Sequence, residues 1–314
     1  MGRYVVRRLL QMILVLFGAT VILFVSLFVL PGDPIGTAAG ERARDPAVRA
    51  VLEKRFGLDK PLPEQYVRYV GRVFRGDLGE SYRQRRPVAE ILRSRFGATA
   101  QLALAAIFFE ILIGLTAGVI AAVFRYSFWD VLVTLTTTLA IGIPTYVGGS
   151  ILQGIFAQKF GWFPRSGRPV DADPFTTMKA LFLPAFTLAS VDAALVARLM
   201  RGTMLEVMRA DYVRTAFAKG LSKRTVILKH VMRNSVIPVV TYLGIAFGGL
   251  VGGALITEQI FNWPGIGLAL STAIGAQDNP IIIAVVTYGV VAFVIVNLLV
   301  DLAYAYLDPR IRLE

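Results

Sequence analysis

Two acidic residues sit inside long apolar runs of this 314-residue chain: Glu110 is the sole charge in residues 96–124 and Asp192 the sole charge in residues 180–197. An ionisable group in hydrocarbon is costly, and by default it marks a water-lined path or a contact with a partner. Two readings stand side by side. The carboxylates line a cavity that favours an ammonium group or a cation, or they are held protonated or hydrogen-bonded against another chain. No Lys or Arg lies deep in an apolar run to pair with them, Arg198 being near the end of its run. Other chemistries are closed off by composition. There is no cysteine, hence no disulfide, thiolate metal site or cysteine nucleophile, and the single histidine, His230, cannot build a histidine metal cluster. No Gly-Lys followed by Ser or Thr occurs, so the chain has no Walker-type loop to cradle a nucleotide. A Gly-x-Ser-x-Gly nucleophile turn is also missing, which speaks against an intramembrane enzyme.

The elements that must position Glu110 and Asp192 are membrane spans. The chain is 55% hydrophobic with a mean hydropathy of +0.63, and apolar runs of 18 residues or more recur along it. About 20 such residues cross a hydrocarbon core of roughly 30 Å. The runs are 9–30, 96–124, 131–158, 180–197, 234–257 and 279–300. The first follows Arg3, Arg7 and Arg8, and it ends at Pro31-Gly32-Asp33-Pro34 without a small-residue cleavage site, which reads as an uncleaved helix rather than a signal peptide. Alternation from an inside start gives an all-α polytopic protein of six spans with both termini cytoplasmic. The predicted inner segment 201–233 carries eight Lys or Arg and the outer segment 258–280 none, as the positive-inside rule requires. Against this stand four Lys or Arg in the outer loop 159–179 and fourteen in residues 31–97, a segment long enough to translocate largely regardless of charge. In a polytopic chain the net charge of +12 reports orientation and anionic lipid contact, not nucleic acid. Residues 32–95 read as a small extracytoplasmic helical domain between the first helix (1–31) and a five-helix core (96–314). Asp45-Pro46 opens one helix towards Phe56, and Pro63 opens another through Phe74 whose apolar face is Tyr66, Val70, Val73 and Phe74. Pro144 is expected to kink the third span. Gly114 and Gly118, and the ladder Gly244, Gly248 and Gly252, are spaced for close helix packing, within the chain or between subunits.

The segment 201–233 is too polar to cross a membrane and too patterned to be slack. Thr203 and Glu206 fit a capping box for a helix running to about Lys219, Gly220 supplies a residue tolerant of positive φ beyond its end, and Ser222 can cap a second helix carrying Val226, Ile227, Val231 and Met232. From the residues alone this is a surface for anionic lipid or for a docking protein.

The run Asp211-Tyr212-Val213-Arg214-Thr215-Ala216-Phe217-Ala218-Lys219-Gly220, followed by His230, Asn234 and Pro238, resembles the cytoplasmic coupling segment of binding-protein-dependent ABC importer permeases, in the form used by the dipeptide, oligopeptide and nickel group. Arg214-Thr215-Ala216 stands where the general pattern has Glu-Ala-Ala. The resemblance extends over nearly the whole chain: Gly57-Leu58-Asp59, Pro61, Gln65-Tyr66, Gly76-Asp77-Leu78-Gly79, Phe261-Asn262-Trp263-Pro264-Gly265-Ile266-Gly267, the pair Asn297 and Asp301, and Leu307-Asp308-Pro309-Arg310-Ile311-Arg312. It implies a type I ABC importer permease fold and a non-catalytic subunit that binds no cofactor. ATP and Mg would be held by two partner ATPases. A homologous second permease and an extracytoplasmic substrate-binding protein would complete the assembly in the bacterial inner membrane. The implied cargo is a short peptide or, by the same mechanism, glutathione or a nickel chelate. The implied ATPase contact is Asp211 to Gly220, with Arg214 and Lys219 as charged members and Ala216 and Phe217 as packing members. A secondary transporter or channel would leave this segment unexplained, and no inverted repeat supports one.

Overall fold

The computed structural model describes residues 2–28, 35–36, 40, 45–56, 59–169, 173–251 and 254–307. Gly252 and the motif residues 31–34, 57–58 and 308–312 lie outside the described residues, as does the side chain of Asp301. Among the described residues the architecture is helical, with one isolated β-bridge between Glu80 and Pro87. The helices are α1 (Gly2–Phe28), α2 (Pro46–Phe56), α3 (Leu62–Phe74), α4 (Val88–Val123), α5 (Phe128–Gly142), α6 (Thr145–Lys159), α7 (Pro174–Val207), α8 (Asp211–Ala218), α9 (Lys223–Leu250), α10 (Leu255–Ile260), α11 (Ile266–Ala276) and α12 (Asn279–Leu307).

Five helices are long and apolar enough to cross a membrane, namely α1, α4, α7, α9 and α12, and α5 with α6 makes a sixth span bent by 106°. The expected kink at Pro144 is therefore a break. Proline has no N–H to continue the ladder, and its ring forces Ile143 into extended geometry at φ −91°, ψ 120°.

α7 runs through the middle of the bundle. A Cβ on Gly114 would stand 2.5 Å from the Val196 side chain, and one on Gly118 would stand 2.7 Å from the Ala197 carbonyl, so these glycines let α4 and α7 approach backbone to backbone. Between α9 and α12, Gly244 makes room for the Val300 side chain, and Gly248 lies against the side chains of Phe293 and Val296, at 3.2 and 3.5 Å from an added Cβ. Gly114, Gly118, Gly244 and Gly248 thus lie at contacts between helices of this one chain.

The outer segment is tied to the spans. Asp45 caps α2 through the Ala47 amide at 2.9 Å. α3 lays Tyr66, Tyr69, Val70 and Val73 against Phe24 of α1 and Ile283 of α12, with hydroxyl bonds from Tyr66 to Thr20 (2.9 Å) and from Tyr69 to Thr287 (2.8 Å). Phe74, expected on that face, is 88% exposed. A helix turns about 100° per residue, so Phe74 falls a quarter-turn past Val73. Residues 81–83 close over Asp278, which accepts from the Ser81 hydroxyl at 2.5 Å and from the Tyr82 amide at 3.1 Å. Burial, and then the Asp278 charge, push the Tyr82 phenol up to about 12. α4 starts at Val88, eight residues before its apolar run, because Val88, Ile91 and Leu92 pack on Ile266, Ala273 and Ile281.

Candidate functional site

α7 leaves the membrane without stopping at Thr203. That residue and Glu206 lie inside the helix, and the Thr203 hydroxyl bonds back to the Leu199 and Met200 carbonyls and across to that of Ser235, all within 3.1 Å. The capping box of the sequence does not form, since the preceding span already supplies the carbonyl partners for those amides. The chain turns at Met208–Ala210 instead, and α8 starts at Asp211.

α8 has two faces. Val213 and Ala216 are 1% and 6% exposed and pack with Met204 of α7 and with Val226, Ile227 and Val231 of α9. Burying a side chain such as Val213 is worth about 1.5–3 kcal/mol, enough to hold so short a helix in place. The sequence expectation put Ala216 on the outward contact surface; the structure puts it on the anchored one, because it follows Val213 by three residues and shares its face. Tyr212, Arg214, Thr215, Phe217, Ala218, Lys219 and Gly220 are exposed, together with Asp211 and Leu221. Arg214 and Asp211 are 3.7 Å apart with side chains 76% and 97% exposed, too open for the pair to stabilise much.

The end of α8 is a Schellman turn. The Gly220 amide donates to the Phe217 carbonyl at 2.9 Å and the Leu221 amide to the Ala216 carbonyl at 3.3 Å, with Gly220 at φ +77°. Ser222 then accepts from the Thr225 amide at 3.3 Å, as the sequence predicts. The second helix is the cytoplasmic end of α9 itself, continuous with the fifth span, rather than a separate surface helix. Asn234 of α9 donates to the Tyr212 hydroxyl at 2.8 Å. α8 is therefore bonded and packed directly onto the end of a membrane span.

The two intramembrane carboxylates differ. Glu110 opens a π-helical turn, Glu110–Leu115, that packs on α7; it is fully enclosed in the chain and neither oxygen has a hydrogen-bond partner. Asp192 is half-buried and accepts from the Tyr242 hydroxyl at 2.5 Å.

Two polar sites escaped the sequence. Arg201 grips Asp130 in a two-pronged bond, Nε to Oδ1 at 2.7 Å and Nη2 to Oδ2 at 2.9 Å, tying α7 to α5. Both residues lie at inner ends of apolar runs, which is the signal that could have paired them. Glu258, taken as a loop residue, is fully buried; it accepts from Thr99 and from the Leu268 amide, each at 2.8 Å. A Cβ on Gly265 would fall on its carboxylate, and one on Gly267 would lie 2.7 Å from the Leu255 backbone, so the glycine pair after Trp263-Pro264 exists to let α10 and α11 close around Glu258. Trp263, also fully buried, donates its indole N–H to the Ala98 carbonyl at 2.8 Å.

A six-span helical protein with a short anchored helix presented on its cytoplasmic side is the frame of an importer permease. Residues 114–313 match the family described as "Binding-protein-dependent transport system inner membrane component" and residues 1–103 its N-terminal companion. The chain belongs to this family and is a bacterial inner-membrane permease component of an ABC importer. It is 38% identical to the dipeptide transport system permease protein DppB of Alkalihalophilus pseudofirmus, over 98% of this chain and 99% of that one. It is 39% identical to the glutathione transport system permease protein GsiC of Escherichia coli K12, over 99% of each. It is 40% identical to the di/tripeptide transport system permease protein DppB of Pseudomonas aeruginosa, over 98% of each. In fold it is similar to an inward-facing MetNI methionine ABC transporter chain, with a TM-score of 0.53 at 16% identity, over 69% of this chain and 96% of that chain.

Proposed function

We propose that this chain pairs with a second, similar permease and two cytoplasmic ATPases, and receives short peptides from an extracytoplasmic binding protein. ATP and Mg are held by the ATPases, and this chain converts their closure into movement of its spans. The observation that carries the reading is α8: a rigid helix stopped by Gly220, anchored through Val213 and Ala216 and bonded to α9 through Tyr212 and Asn234. Displacement of its exposed face, Arg214, Thr215, Phe217, Ala218 and Lys219, is passed to the fifth span rather than absorbed in a loop. Within this reading Asp192 is the carboxylate open enough to meet a solute ammonium, and the enclosed Glu110 has a structural role. Glutathione is the second reading for the cargo, since a relative named for glutathione is as similar as those named for di- and tripeptides. The test is purification of the intact complex, reconstitution with its binding protein, and uptake of labelled dipeptide, tripeptide and glutathione in competition. Peptide uptake that needs ATP supports the reading. A chain that purifies alone after mild cross-linking would overturn it.

A further inference from the structure

The break between α5 and α6 leaves Gly142, Ile143 and Pro144 exposed on the surface of this chain, inside a span. Irregular backbone at membrane depth is tolerated only where protein covers it or where it lines water, because lipid offers no hydrogen-bond partner. On the same face of α5, at four-residue spacing from Gly142, stand Thr138 and Thr134, also exposed. Arg198 of α7 adds a charge to this stripe. Its Nη2 donates to the Thr138 hydroxyl at 2.7 Å, and its own side chain is exposed.

Trp129, exposed beside Phe128 and Tyr126 at the start of α5, marks the cytoplasmic interface as aromatic residues do. Thr138 lies nine residues further along, about 13 Å at 1.5 Å per residue, close to the middle of a roughly 30 Å core. The neighbouring Asp130–Arg201 pair sits near the interface, and Arg198 is one turn deeper. A lipid-facing arginine at that depth would extend its side chain outward to the headgroups. This one reaches inward to Thr138. Among the described residues no carboxylate lies within ion-pair distance of it, so its counter-charge is left to something that enters the face.

We propose that the Thr134–Thr138–Gly142 stripe and the exposed break at Ile143-Pro144 form this chain's wall of the translocation path, and that Arg198 receives the carboxylate end of the solute there. The path wall stands on the geometry alone; the carboxylate as ligand rests on the peptide reading above. Arg198 spends two of its N–H groups on the Thr138 and Thr137 hydroxyls, at 2.7 and 3.5 Å, and the Thr138 hydroxyl gives its own proton to the Thr134 carbonyl at 2.7 Å, so the remaining guanidinium N–H groups are the charged donors left for a carboxylate.

The absence of cysteine from the chain makes the wall directly testable. Thr138→Cys and Ile143→Cys are introduced singly into the assembled transporter in proteoliposomes and treated with a charged, membrane-impermeant thiol reagent. Leu104→Cys, exposed on an apolar face of α4, is the comparison, and a lipid-permeable maleimide establishes that each thiol can react. Both wall positions are expected to react faster than Leu104→Cys and to be slowed by saturating peptide. Wall positions no faster than Leu104→Cys, in vesicles that transport, would overturn the assignment and mean that lipid or the second permease covers this face. Arg198→Gln is expected to raise KM about tenfold for peptides with a free carboxyl terminus, the loss of one charge-assisted bond, with Arg198→Lys nearer wild type. Peptides amidated at that terminus should show no such rise. An equal shift for amidated and free peptides would remove the carboxylate role. If no peptide is carried at all, the cargo reading fails, while the labelling still decides where the path runs.

Discussion

Replacing Gly220 tests the coupling role at the point where the backbone allows the sharpest expectation. The residue sits at φ +77°, and a Cβ added there would meet nothing within 4 Å. The cost of a side chain is therefore conformational only, with no clash to relieve. A non-glycine residue in the left-handed region costs about 1–2 kcal/mol, less for Asn and more for a β-branched residue. Escaping that cost by returning to negative φ breaks the two closing bonds at 2.9 and 3.3 Å, each worth about 0.5–1.5 kcal/mol. Both routes destabilise the same thing, the closed end of α8, which on the coupling proposal transmits displacement. Gly220→Asn, Gly220→Ala and Gly220→Val should therefore lower transport per ATP hydrolysed in that order. Assembly and membrane insertion should be retained in all three, because Val213 and Ala216 still anchor the helix. The assay is peptide uptake and phosphate release measured in the same proteoliposomes. A flat series, or Asn as damaging as Val, would refute the argument that a rigid stop at this position matters.

Removing the Tyr212–Asn234 bond by Tyr212→Phe should weaken the tie between α8 and α9 by about 0.5–1.5 kcal/mol, and a double-mutant cycle with Asn234→Ala should show that the two residues act together. Asp130→Ala strands the Arg201 guanidinium; because Arg201 is 30% exposed, the loss should fall below the about 3–5 kcal/mol of a fully buried pair, and an added Arg201→Met should restore part of it, read as thermal stability in detergent. Gly244→Leu forces a side chain into Val300 and should destabilise by at least about 1–3 kcal/mol, whereas Gly249→Leu, with open space at its Cβ, should not. Burial holds the Glu258 carboxyl above the usual carboxylate range, so the folded state binds its proton more tightly than the unfolded chain does. Its contribution to stability is then complete below the ordinary carboxylate value and is lost as pH rises through the raised one. The melting temperature should decline over that window, and Glu258→Gln should flatten the decline.

The spans, the basic inner segment, the glycine stop at Gly220 and the Ser222 cap were all legible without coordinates. Each is a local property: a run of apolar residues long enough for a bilayer, or a side chain acting on a backbone within four residues of itself. What the sequence alone could not decide was which helix faces which. Ala216 reads as part of a contact motif, and only the packing of α8 on α9 turns it inward. Asp130 and Arg201 are separated by two spans and the loop between them before they meet. Glu258 looks like an outer-loop residue until Thr99 and Leu268 close over it, and Pro144 announces a kink without saying that the broken backbone lies on the surface of this chain. Local periodicity determined the elements of this protein. The pairing of polar groups across helices, and the faces left open at membrane depth, were decided by the tertiary structure, because burial and hydrogen bonding are satisfied between elements and not along them.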